Sequence, residues 1–217
     1  METHTFRLAF GIGSIIGLLA LTGCAAKGEV VYLEIQAVPA APLSAKQQGG
    51  QREEIKVAVE VFEDQRPEKN HLGVRTHIWG GVTYFNVIGG KEGDVVAQVV
   101  ADHLKQKGWR VWVRRHGSPT PEGDADVVLT GQVQEFSAHA KSRFFSTELT
   151  AKSKLAVLAR NAADGSTTSM SLEGTSTESV FWFEPKDLQN LVNQTLKESL
   201  DKLMADTKVE KRALRLR

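Results

Sequence analysis

Between Phe145 and Arg160 the chain alternates with a period of two. Phe145, Thr147, Leu149, Ala151, Ser153, Leu155, Val157 and Ala159 fall on one face, and Glu148, Lys152, Lys154 and Arg160 on the other. This pattern predicts a long strand with one dry and one solvated face, the habit of an antiparallel sheet. Asn161-Ala162-Ala163-Asp164-Gly165 is a hairpin signal leading into a further strand at Ser166–Phe183. Asp126–Phe136 precedes them as another strand. Upstream, Ile55, Val57, Val59 and Val61 alternate with Lys56 and Glu60, predicting a strand over Ile55–Phe62 that ends in the turn residues Asp64-Gln65-Arg66-Pro67. The glycine-rich stretch that follows holds one short aromatic strand, Val82–Val87, and reads as a long loop or hairpin. Val30–Ile35 has the β-branched and aromatic character of a short strand able to dock on the body.

Two stretches have helical spacing. From Asp94 to Lys107, Val96, Val99, Val100, His103 and Leu104 share a face, with Glu92 and Asp94 at the start, Lys105 and Lys107 at the end, and Gly108 placed for a left-handed cap. A strand, Trp109–Arg114, follows at once. Pro185 opens a second helix, with Leu188, Leu191, Val192, Leu196, Leu200, Leu203 and Met204 as its stripe, ending near Asp206. The expected fold is therefore α+β, a largely antiparallel sheet with two helices packed on one face. Residues 53–206 form a single domain in this reading, preceded by a tether at 24–52 and followed by a solvated basic tail at 207–217.

The extreme N-terminus has a different pattern. Arg7 precedes an apolar run, Leu8–Leu21, that is shorter than a membrane span and carries three glycines. It ends in Leu21-Thr22-Gly23-Cys24, which resembles the lipobox of bacterial lipoproteins at all four positions. The resemblance implies cleavage after Gly23, a thioether-linked diacylglycerol on Cys24 and acylation of the new amino terminus. Several acyl chains hold a protein to a bilayer durably where one does not. Ala25 at the second mature position implies, by the same resemblance, sorting to the outer membrane, facing the periplasm.

Composition narrows the function classes. Cys24 is the single cysteine of 217 residues, so disulfides within the chain, thiolate zinc sites and, once it is alkylated, cysteine nucleophiles are excluded. Among Lys, Arg, Asp and Glu, removing residues 1–23 takes away only Arg7 and Glu2, so the net charge stays near the +1 of the whole chain and nothing favours nucleic acid as a partner.

No catalytic constellation stands out. Asp64 and Arg66 follow a strand, where ligand groups are often held, although such a pair also caps its own turn. His71 and His77 share a loop but lack a third ligand at usable spacing, so no metal is expected. Gly89-Gly90-Lys91-Glu92-Gly93 precedes a helix, yet Glu92 stands where a phosphate loop needs Ser or Thr, and no cofactor is expected. Trp79, Tyr84 and Trp112 are candidates for an interaction surface, since aromatic residues dominate such surfaces.

The lipobox, the strand ending in Asp64-Gln65-Arg66, the helix running into Lys107-Gly108-Trp109, the Asp124-Ala125-Asp126-Val127 start of the next strand and the terminal leucine helix together resemble the YajG-like family of bacterial lipoproteins, over most of residues 15–206. The Trp79-Gly80-Gly81 loop and the basic tail depart from that family. More loosely, the layout is similar to the periplasmic α/β domains of the curli-secretion lipoprotein and of transporter-associated lipoproteins. The resemblance implies a lipid-anchored envelope protein acting as a non-catalytic binding, assembly or accessory factor with an envelope protein partner. A periplasmic hydrolase-like enzyme and a small-molecule or lipid carrier are the alternatives.

Overall fold

The computed structural model describes residues 28–39, 55–115 and 125–217. Gly23 and Cys24 lie outside the described residues, as does the signal-like segment.

The fold is organised around one long strand. In chain order the elements are β1 (Glu29–Leu33), β2 (Lys56–Glu60), β3 (Glu63–Asp64), β4 (Gly73–Thr76), β5 (Val82–Val87), α1 (Glu92–Gln106), β6 (Arg110–Arg114), β7 (Val127–Ser142), β8 (Thr147–Asn161), β9 (Thr167–Val180), α2 (Pro185–Asp206), β10 (Thr207–Glu210) and β11 (Ala213–Leu216). One edge of β7 pairs antiparallel with β8 along nearly its whole length, and β8 pairs in the same way with β9. The other edge of β7 is shared by three short strands in succession, all parallel to it: β2 at Val127–Leu129, β3 at Gln132–Val133 and β4 at Ala140–Lys141. Beyond them β6 lies parallel to β2, and β1 lies parallel to β5, which is antiparallel to β4.

This corrects the expectation of a largely antiparallel sheet with two helices on one face. The nine-stranded sheet is mixed. Parallel neighbours need a crossover connection, and α1 forms part of the one between β2 and β6. The helices divide the sheet between them: α1 packs on β6, β2, β3 and β7, and α2 on β9, β8, β7 and β1. Central placement explains β2, where Val57, Ala58, Val59 and Glu60 are all buried.

Close backbone approach is built in where short strands meet β7. A Cβ on Gly131 would come within 2.4 Å of the Phe62 ring, and one on Gly93 within 2.0 Å of the Phe62 carbonyl oxygen, so Phe62 is held between β7 and the start of α1. On the other side, Gly174 of β9 lets α2 settle close enough for Ser153 Oγ and Ser199 Oγ to bond at 2.7 Å.

Helix ends follow local chemistry. Gly108 has φ +88°, and the Trp109 amide donates to the Leu104 carbonyl at 3.3 Å, closing α1. Asp187 Oδ2 accepts from the Glu184 amide at 2.9 Å at the start of α2, where Pro185 needs no donor.

The C-terminal segment is not a frayed tail. β10 and β11 form a hairpin whose turn residues Lys211 and Arg212 have φ of 51° and 61°, and Ala213 and Leu214 are buried. Fully buried Asn161 pins it: its Oδ1 accepts from the Leu214 amide at 2.8 Å and its Nδ2 donates to the Leu214 carbonyl at 3.1 Å. Three of its basic residues are in ion pairs, Lys208 with Glu210, Arg212 with Asp126 and Arg215 with Asp164.

Candidate functional site

Asp64 and Arg66 turn out to join elements. Arg66 is 3 % exposed; its Nε and Nη2 donate to the two Asp64 oxygens at 2.9 and 3.0 Å, its Nη1 to the Phe136 carbonyl at 3.2 Å, and Nη2 lies 3.0 Å from Glu92. One guanidinium thus ties β3, β7 and the first turn of α1 together. Burial pushes the Asp64 pKa up, but hydrogen bonds from the Arg66 side chain and amide, with its charge, outweigh that and hold it below the usual range. The pair also makes the predicted turn cap, Arg66 N–H to Asp64 Oδ1 at 3.1 Å. Nothing remains free there to bind a ligand.

The loop histidines His71 and His77 are similarly occupied. His71 stacks on Tyr84 with centroids 4.2 Å apart and bonds Asn86, while His77 bonds Thr83 Oγ1 at 2.9 Å. His103 is buried in α1; burial and the charge of Lys107 push its pKa down to about 4, against Asp201, which raises it, and with Lys197, which lowers it further. It is neutral at pH 7. Among the described residues no three His, Cys, Asp or Glu side chains stand together in a way that could hold a metal ion.

A groove of about 1270 Å³ opens where the outer faces of β7, β8 and β9 meet the end of β2 and the start of α1. It is open to solvent. Thr130, Gln132, Ser169 and Ser171 present hydroxyls and an amide, and Leu158 supplies apolar surface. Of the charged groups at its rim, Glu60 is committed to Arg114 at 2.5 Å.

Trp79, Tyr84 and Trp112 are not brought together. Trp79 is 88 % exposed on the β4–β5 turn, Tyr84 is half-buried on β5, and Trp112 is half-buried on β6 at the far edge of the sheet. Instead, Trp79 meets Phe144 edge-on, with centroids 6.3 Å apart, and Phe144 lies beside Phe145. Phe145, expected on the buried face of its strand, is 80 % exposed on the β7–β8 turn, and Phe181 and Trp182, expected inside a strand, are each 79 % exposed after β9. The available signal was the adjacency itself: two neighbouring aromatics in a strand must point to opposite faces.

The fold and its surfaces define an α/β sheet domain with an open groove and one aromatic pole; among the described residues no helix is long and apolar enough to cross a membrane. The chain belongs to the family described as uncharacterized lipoprotein, Lipoprotein_16, which matches residues 94–212, and is YajG-like. Membership of a lipoprotein family points to the cell envelope. No curated protein matches the sequence. Among solved structures it is similar to a protein from Xanthomonas campestris (11 % identity, TM-score 0.48, covering 81 % of this chain and 92 % of that one). It is also similar to the PelC dodecamer from Paraburkholderia phytofirmans (16 %, 0.36, 67 % and 87 %) and to a lipoprotein from Neisseria meningitidis (16 %, 0.27, 67 % and 97 %).

Proposed function

We propose that this chain is a lipid-anchored envelope lipoprotein, held through Cys24 to the periplasmic side of the outer membrane, and that it acts as a non-catalytic binding or assembly factor through the groove on the outer face of β7–β9. The groove carries this reading: it is wide and open, and it offers hydroxyl, amide and apolar groups beside the charged groups Glu63, Lys91, Asp94 and Arg115, while Glu60 is paired with Arg114. Family membership supports the anchor and is neutral about the partner.

A photo-crosslinking residue placed at Ser169 in living cells tests it, with Lys105 on the exposed side of α1 as control. A discrete adduct at Ser169, lost with Leu158→Glu and missing at Lys105, is the expected outcome. Equal labelling at both positions counts against the groove. Intact mass reads the anchor separately: Cys24→Ser should lose all acyl mass.

A further inference from the structure

The strand register places the start of β1 and the exposed aromatic residues at the same pole. One row of paired residues crosses six strands: Glu29 of β1, Thr83 of β5, Arg75 of β4, Ala140 of β7, Leu149 of β8 and Glu178 of β9. Just beyond that row the chain turns at His77–Gly81 and at Arg143–Ser146 and leaves β9 at Phe181. Those segments carry Trp79, Phe144, Phe145, Phe181 and Trp182, each between 77 and 88 % exposed. The segment returns under the sheet at Phe183, whose ring lies 4.2 Å from the Arg75 guanidinium carbon.

β1 begins in the same row and runs away from this pole. Its start is pinned, because a Cβ on Gly28 would lie 2.7 Å from both the Tyr84 ring and the Val82 carbonyl oxygen. Cys24 is five residues before Glu29, so it is within about 18 Å of the row however the intervening chain runs. The acyl chains proposed on Cys24 are therefore tethered within that distance of the row that the aromatic turns adjoin. The opposite pole, with Trp109 and Trp112, is roughly 45 Å of strand away, since Trp112 pairs with Ala58, which pairs with Val128, fourteen residues before Ser142.

Resting on that acylation, we propose that the aromatic turns of this pole dip into the interfacial layer of the bilayer that holds the anchor, so that the long strands stand away from the membrane and the groove faces the periplasm. Tryptophan and phenylalanine are the side chains suited to that layer, with apolar rings and, in Trp, a polar tip. Arg143 at this pole is paired with Glu148, and the proposed contact rests on the aromatic rings.

The test uses the lipidated protein in phosphatidylcholine vesicles with brominated acyl chains. In a protein with Trp109→Phe and Trp112→Phe, emission from Trp79 and Trp182 should shift to the blue and be strongly quenched. In the converse protein, with Trp79→Phe and Trp182→Phe, emission should stay unquenched. Because Trp109 packs on the core, the single variants Trp79→Phe and Trp182→Phe give an independent reading, each removing part of the quenchable emission of the native protein. High salt should leave the quenching unchanged. Acylated protein whose pole tryptophans are quenched no more than those of the far edge overturns this orientation and leaves the anchor standing. Native protein without acyl mass overturns both.

Discussion

The two edges of β7 are built on different principles. Along one, β8 follows in a single antiparallel register from Val127–Asn161 to Ser142–Thr147, shifted only by a bulge between Val133 and Glu135, and is held by alternating side chains under α2. Along the other, β2, β3 and β4 share the strand in short parallel pieces. Each such piece meets β7 over only two or three residue pairs; β2 and β4 gain a second ladder from β6 and β5, and the join is fixed further by Phe62 locked between Gly93 and Gly131 and by Arg66 bridging β3, β7 and α1. Continuous pairing makes stability a property of many repeated contacts, whereas the patchwork concentrates it in a few residues.

The largest break in that contrast is expected from Arg66→Met. Leaving Asp64 and Glu92 without their cation should destabilise by about 3–5 kcal/mol in urea unfolding, and hydrogen exchange should rise first in β3 and α1 rather than in β8 and β9. Protonation comes next. His103 titrates near 6.5 when unfolded and about 4 when folded, so it is neutral in both states above pH 6.5. Between these values the unfolded chain binds the extra proton, so stability is lost as the pH falls through this window, by roughly 2–3 kcal/mol in all. Urea midpoints measured from pH 7.5 to 4 should show this slope, and His103→Gln should flatten it.

Gly131→Ala should cost about 1–3 kcal/mol, since its methyl would press on Phe62. Asn161→Ala should cost a similar amount by leaving the buried Leu214 amide without a partner and its carbonyl with Thr168 Oγ1 alone, and limited proteolysis should then release β10–β11 while the rest of β7–β9 stays protected. The smallest effect is expected from Lys154→Ala on the exposed face of β8: its pair with Glu173 is in solvent, and thermal unfolding should not move measurably.

Legibility in the sequence followed the same contrast. β8 and β9 could be read because their side chains alternate over a dozen or more residues, and α1 and α2 because their apolar stripes end in glycine or begin with proline. β5 and the docking strand β1 were visible as short β-branched runs. The parallel pairing was not, because Val57, Ala58 and Val59 carry no mark of which strands will flank them. Nor was the C-terminal hairpin: Lys211-Arg212 is a poor turn signal, and its left-handed backbone is imposed by the docking of Leu214 on Asn161. At the site, Asp64 and Arg66 were recognisable as a pair, but Glu92, 26 positions away, was not recognisable as their third member. Trp79 was singled out without Phe144 and Trp182, which only folding brings to the same pole.

Local chemistry determined where the helices and most of the longer strands form, which of their faces are apolar, and the Leu21–Cys24 pattern with its implied attachment, because each depends on neighbours a few bonds away. The mixed order of the sheet, the burial of Arg66, the hairpin at the C-terminus and the gathering of aromatics beside the N-terminal strand were decided by tertiary structure. Those features join residues tens of positions apart, and the free energy that selects them comes from packing and charge pairing that no local pattern contains.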